Sequence, residues 1–558
     1  MWKFEDLPYA RPDMDAYRAD YARLLEEMAN AENYAAQKEA LFALEALDRE
    51  MSEAVSLARI RHDIDTADPF YDAEMRYWNE VMPTLIPLEK KYMETLVSLR
   101  FRAEFEAEFG PQIFRSAEAQ LRLADERLAP AKVEQSALVM EYSKLVAGCK
   151  TEFEGKPCNF YGLLKHMQNP DRAVRQAAFR AWADLYAGAA DQLDEIYDKL
   201  VALRVGMAET LDFPNFTEMA YLQRRRYDYN AEDAARFRAA VVKYIVPLTA
   251  RLYEEQRQRL GLDTLCYYDE PLFYPEGNPT PSGTRDEMVA RAGEMYRQLS
   301  PETGEFFDFM TEHGLFDLET KPGKRMGGYC SRIGKYKAPF IFSNFNGTSA
   351  DVDVLTHEAG HAFQGYLAMR IMPLSALTHA NMEINEVHSM SMEHFAYPWM
   401  DKFFGADADR YRQFHLSEAL RHIPYLVAVD EFQHRVFAKP DMTREERYAI
   451  WHEIEGTYLP WRNYDGNEFL EKGGFWMQKQ HIFMYPFYYI EYALAQLGAF
   501  EFHIKACENR EAAWADYLAL CRAGGSAGYF DLLKIAGLHN PFCEETVKMI
   551  AEKIEAML

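Results

Sequence analysis

The residues best suited to chemistry are His357-Glu358-Ala359-Gly360-His361. On a helix, imidazoles at i and i+4 stand one above the other, about 40° apart on a wheel. Both can then reach one metal ion. Glu358 points off that line, toward water at the metal rather than the metal itself. This is the arrangement of zinc hydrolases. A catalytic zinc takes a third protein ligand and keeps one position open. The pattern HExxHxxGxxH would need glycine and histidine where this chain has Gln364 and Leu367, so the third ligand lies further on. The segment Asn381–His394 reads as a second helix carrying Glu383, Glu386 and Glu393. Glu386 and Glu393 fall within about 20° of each other and Glu383 about 60° away, so spacing alone leaves all three open. His388 lies about 200° round from Glu386 and reads as a packed or hydrogen-bonded residue.

Helices must carry these groups. Ala362, Phe363, Gln364, Leu367 and Met369 continue the first helix, and Asp351 and Asp353 suit its N-terminus. The first half of the chain is patterned as long helices. Tyr17, Tyr21, Leu24, Leu25 and Met28, then Leu41, Leu44 and Leu47, recur at helical spacing, with Asp13 or Asp15 as cap. Further helical stretches are expected near 88–110, 113–145, 171–212, 231–262 and 284–299, with breaks or kinks at Pro130 and Pro247. Residues 263–283, rich in proline, read as a loop connector with one short strand. The aromatic run Ala338–Phe345 predicts a small sheet near 325–346, after which helices resume, interrupted by Gly524–Gly528.

With 62 Lys+Arg against 88 Asp+Glu, the net charge of −26 argues against nucleic acid and against anionic membrane surfaces. The 558 residues suffice for a large core without staples. Seven scattered cysteines without a CxxC pair suggest neither a disulfide framework nor a thiolate zinc site. Glu5-Asp6 stands where a signal peptide needs apolar residues, and no run approaches a membrane span, so a cytoplasmic location is expected.

Gly328-Tyr-Cys330, Lys337-Ala-Pro-Phe-Ile-Phe-Ser-Asn-Phe345, Gly347-Thr348, Asp351 to Leu355, His357–His361 and Asn385-Glu-Val-His-Ser389 resemble the oligoendopeptidase F and Pz-peptidase branch of the thimet oligopeptidase family. The opening Phe4–Asp13 is similar to the N-terminus of that branch, and the resemblance spans nearly the whole chain. It implies a zinc-dependent endopeptidase cutting internal bonds of short peptides, with one Zn²⁺ per chain on His357, His361 and Glu386. The choice of Glu386 follows from the family's Glu, hydrophobic residue, any residue, Ser order; Glu393 then supports a ligand. Glu358 becomes the general base. His481 followed by Tyr485, Tyr488, Tyr489 and Tyr492 resembles the family's cleft-lining His and tyrosines. His481, Tyr489 and Tyr492 are expected at the oxyanion and Tyr485 and Tyr488 at the substrate, with the individual assignments open. The strand Phe340–Phe345 reads either as a buried strand or as an exposed edge with which an extended peptide can pair; the resemblance implies that it aligns substrate, through Phe342 and Asn344 with a turn at Gly347.

The implied fold is mainly α: two helical lobes enclosing a deep channel, with a small β-sheet beside the HExxH helix. A single unit, 1–558, is expected, with a helical N-terminal lobe near 1–262 and a catalytic lobe near 263–558. Expected partners are short peptides, with no nucleic acid, no membrane, and a monomer or weak homo-oligomer. Two rival readings are a zinc carboxypeptidase or dipeptidase and a non-catalytic peptide-binding helical protein.

Overall fold

A computed structural model describes residues 2–558. The chain is mainly helical, with two small sheets among the described residues. The periodic N-terminal pattern becomes two helices, Met14–Asn30 and Tyr34–Ile64. The Asp13 carboxylate caps the first by accepting from the amides of Asp15 and Ala16, and Tyr17, Tyr21, Leu24, Leu25 and Met28 are all buried.

The flagged prolines mark a break and a distortion, as expected. Pro130 is the second residue of Ala129–Gly148, and Pro247 the second of Val246–Arg259, behind a π-turn at Val241–Ile245. At Pro130 the missing N–H costs nothing, since first-turn amides have no helical acceptor; Pro247 lies inside the continuous helical run 231–259, and the π-turn just before it is the distortion expected at an internal proline. The stretch expected near 88–110 divides into Ile86–Val97 and Arg102–Phe109. At the break the Ser98 hydroxyl donates to the Glu94 carbonyl at 2.7 Å, a local bond that competes with the helical ladder. The stretch near 113–145 likewise splits, at a turn capped by Asp125.

A polar hairpin escapes the sequence pattern. Strands β1 (Lys150–Phe153) and β2 (Lys156–Asn159) pair antiparallel across Glu154-Gly155, both with positive φ. The connector 263–283 holds no strand, only a 3-10 turn at Tyr267–Asp269. The second sheet comprises β3 (Phe316–Glu319), β4 (Tyr329–Ile333) and β5 (Ala338–Phe345), in the order β3-β5-β4. β3 runs parallel and β4 antiparallel to β5. The exposed-edge reading of Phe340–Phe345 is therefore corrected: β5 is the central strand, flanked on both sides, and Ala338 to Ser343 are all buried. β4 and β3 form the edges.

The chain resolves into two compact units. One comprises Met1–Ala124, Pro279–Asp409 and Gly498–His539; the other Asp125–Asn278, Arg410–Leu497 and Asn540–Leu558. Each draws on segments from both sides of the connector, so the units do not divide near residue 262. No helix among the described residues is long and apolar enough to cross a membrane.

Candidate metal centre

The turn after β5 sets the position of the HExxH helix, Ala350–Ile371. Asp351, in its first turn, accepts from the amides of Asn346 and Gly347, each at 2.8 Å. Gly347 has φ +83°, a conformation open to glycine at little cost. Strand, turn and helix are thus locked by one buried carboxylate.

The second helix, Met382–Phe395, packs against the first at Gly360. A Cβ on Gly360 would stand 2.6 Å from Ser389 Cα, 2.7 Å from the His388 carbonyl oxygen and 3.0 Å from Met392 Cβ. Only a residue without a side chain permits this approach. The glycine between the two imidazoles therefore has a structural task that its position in the motif did not disclose.

That approach brings three donors together. Nε2 of His357 and Nε2 of His361 lie 3.4 and 3.5 Å from Oε2 of Glu386, and the three ligand atoms all fall within 4.8 Å of one another. Zinc bonds of about 2.0–2.2 Å in tetrahedral geometry place neighbouring ligand atoms about 3.4 Å apart, so the two observed edges fit such an ion. The Ser389 hydroxyl donates to Glu386 Oε2 at 3.1 Å. His357 Nδ1 lies 2.6 Å from Glu393 Oε1. An ionised Glu393 fixes a proton on Nδ1, so Nε2 is the nitrogen that would serve a metal. Glu383 turns elsewhere and accepts from the Asn381 amide at 2.7 Å. Of three glutamates left open by spacing, Glu386 joins the histidines and Glu393 backs one of them.

The electrostatics follow from burial and charge. Burial works to lower the pKa of His357, but the Glu386 and Glu393 carboxylates outweigh it and hold the value well above the ordinary one. Burial alone would raise the Glu386 carboxyl; the two histidines instead hold it well below the carboxylate range. Glu358 is raised, chiefly by burial, with His361 and His357 opposing. It is 9 % exposed, and its Oε2 has no hydrogen-bond partner among the described residues. A carboxylate with a raised pKa and an uncommitted oxygen is equipped to take and return a proton. His388 is buried on the opposite side of its helix, and burial brings its pKa down to about 3. Gln364 accepts from Arg332 at 2.6 Å and donates to the Thr378 carbonyl at 3.1 Å, tying the helix to β4 and the following loop.

The expected substrate contacts on the strand are differently employed. Phe342 is fully buried and stacks on Tyr329 at 4.9 Å between centroids. The Asn344 amide donates to the carbonyls of Arg325 and Gly327, at 2.9 and 2.8 Å. It thereby holds the loop entering β4, where Gly328 adjoins Glu358.

The downstream aromatic cluster belongs to the other compact unit. His481 stacks on Tyr488 with centroids 5.4 Å apart and 9° between planes, and lies 4.8 Å from the Tyr489 ring. The hydroxyls of Tyr488 and Tyr492 are 3.0 Å apart. Tyr485 is half exposed and Tyr489 buried. Burial, then Lys479 and Arg224, lower the pKa of His481 to about 4. The ring should therefore stay neutral from pH 5 to 8, and a histidine-labelled NMR titration, assigned with His481→Gln, should show no midpoint for it in that range. A midpoint near 6.5 would contradict the burial argument. The sign for stability follows: the unfolded chain takes up this proton near pH 6.5 and the folded chain only near 4, so this group withdraws stability as pH falls through that window.

The fold and its donor set are those of a metallopeptidase. Residues 165–278 and 304–552 match Peptidase family M3, and residues 4–124 match the Peptidase M3 N-terminal domain. The chain belongs to peptidase family M3, and membership implies a metal cofactor. It is 22% identical over 622 residues to Oligopeptidase PepF of Bacillus subtilis, covering 100% of this chain and 86% of that protein. It is 24% identical over 429 residues to the chromosomal Oligoendopeptidase F of Lactococcus lactis subsp. cremoris, covering 71% of this chain and 65% of that one. A solved structure of Pz peptidase A with an inhibitor is 44% identical, with TM-score 0.92, covering 100% of this chain and 99% of that chain. The oligoendopeptidase F and Pz-peptidase resemblance thus holds, and the protein is a metallo-endopeptidase of the oligopeptidase type.

Proposed function

We propose that His357, His361 and Glu386 hold one Zn²⁺ per chain, and that the protein hydrolyses internal bonds of short peptides in the cytoplasm. The observation that carries this is the convergence of two Nε2 atoms and one carboxylate oxygen at tetrahedral-edge distances of 3.4 and 3.5 Å, beside Glu358 with its unpartnered oxygen. The bound ion supplies a Lewis acid at the site of attack. Glu358 removes a proton from the attacking water and delivers it to the departing amine nitrogen. Glu393 keeps the His357 ring oriented. His481, Tyr489 and Tyr492 serve as neutral donors to the developing oxyanion, with Tyr485 and Tyr488 toward the substrate; a neutral His481 suits that role. The substrate main chain is assigned to β4, an edge strand, in place of the central β5.

The test is mass spectrometry of a mixed peptide library, including peptides blocked at both ends, digested with and without a zinc chelator. Internal cuts in blocked peptides, lost on chelation and restored by zinc, are expected. Trimming confined to free C-termini would favour a carboxypeptidase, and cleavage indifferent to the chelator would remove the metal from the reading.

A further inference from the structure

Two left-handed residues without glycine's freedom meet at the aromatic cluster. Phe487 has φ +61° and is fully buried. A bulky residue in that region is a backbone outlier, held only where its surroundings over-determine it. Here its amide donates to Gln433 Oε1 at 2.9 Å, and its carbonyl accepts from Arg226. Arg225, φ +60°, ends the helix Phe216–Gln223, with the Arg226 amide returning to the Tyr221 carbonyl at 3.0 Å. That closure turns Arg224 and Arg226 toward the same acceptor, Glu491. Arg224 grips Glu491 with two bonds, through Nε and, at 2.6 Å, Nη2. Arg226 reaches it at 3.1 Å. The Arg224 guanidinium lies over the Tyr488 ring, 4.5 Å from its centroid. Glu491 lies in the first turn of Ile490–Ala523, the helix that carries Tyr492, and its amide donates to the Tyr488 carbonyl at 3.1 Å. Glu491 and the side chains of Arg224 and Arg226 are largely or wholly buried.

We infer that Arg224 and Arg226, joined through Glu491, are positioning residues that hold the strained Pro486–Tyr488 turn and so present the Tyr488–Tyr492 hydroxyl pair as one unit for catalysis. A salt bridge built only for stability has no need of a left-handed phenylalanine beside it. Within the turn the left-handed residue is Phe487, which directly precedes Tyr488. This rests on the reading that the tyrosines act on the reacting peptide.

The test uses the full-length zinc-loaded protein and an internally quenched peptide. Arg224→Met should lower kcat by about tenfold or more with KM changed less than about threefold, since an interaction made chiefly in the transition state is lost. Zinc content should be unchanged. Arg224→Lys, which keeps the charge over Tyr488 but not the paired bonds, should recover part of kcat. The double variant Arg224→Met/Tyr488→Phe should be no slower than the slower single variant, because the arginine acts through that tyrosine. Full kcat in Arg224→Met, or losses that multiply in the double variant, would overturn the proposal. Should Arg224→Met not fold, Arg226→Lys reads the same turn: it keeps a charge toward Glu491 but loses the guanidinium bond to the Phe487 carbonyl, so kcat should fall with zinc content unchanged. Unchanged kcat there overturns the proposal too. Full kcat in both Tyr488→Phe and Tyr492→Phe would overturn the oxyanion reading beneath it, and the proposal with it. Loss in those variants with an unaffected Arg224→Met overturns the proposal alone.

Discussion

Glu358→Gln should bind zinc as the parent does and lose roughly 10³- to 10⁴-fold in kcat, the upper part of the range for removing a general acid–base. The substitution keeps the shape of the side chain and removes its ability to take a proton. Nothing in the donor set changes, because Glu358 stands apart from the three converging ligand atoms. The loss should fall on kcat rather than KM, since the proton moves only as the peptide bond breaks. The raised pKa of the buried carboxyl makes it a stronger base than a solvated glutamate, which an amide cannot imitate. Steady-state turnover of a quenched peptide, with zinc measured on the same sample, checks both halves. Retained turnover would remove Glu358 from the proposed role.

Gly360→Ala should damage the protein without touching a single functional group. Its methyl would meet backbone atoms of the partner helix at 2.6 and 2.7 Å, and backbone cannot step aside as a flexible side chain can. The HExxH and glutamate helices must then separate, at a cost of about 1–3 kcal/mol for overpacking. Separation also draws His361, the next residue, away from Glu386. Zinc affinity should fall by about 10- to 100-fold, comparable to the loss of a residue that orients a ligand. Calorimetric Tm and zinc titration of the variant measure the two effects. A variant with parental Tm and zinc affinity would show that the helices do not meet as described.

How much of this was legible in the sequence depends on the range of the interaction. His357, Glu358 and His361 belong to one helix, and helical geometry alone groups them. Glu386 belongs to another helix, and its choice over Glu383 depends on which turn faces the histidines; the crossing at Gly360 decides that. The family resemblance supplied the same residue by a different route. The burial of β5 was legible in its composition: Ala338 to Phe342 is an unbroken apolar run, the mark of a strand covered on both faces. Its central place was not legible, since Pro339 lacks an N–H for the ladder and favours an edge. The hairpin β1–β2 left no such mark, being short and largely exposed. The compact units were not legible, because each unites three distant segments. Arg224, Arg226 and Glu491 also gave no signal, since their partnership exists only after position 225 adopts its left-handed turn.

The unit that holds His357, His361 and Glu386 includes the late segment Gly498–His539. That segment backs the glutamate helix: Tyr517 donates to the His388 carbonyl at 2.8 Å, and Gly498 lies against Val387. Trp514 stacks near Phe363 on the HExxH helix. During synthesis all three donors therefore leave the ribosome before their support exists. At about 5–20 residues per second the interval from Glu386 to Gly498 lasts roughly 5–20 s. Through that interval a nascent chain carries the three converging side chains but not the packing that holds them in register, so the site is completed late in translation.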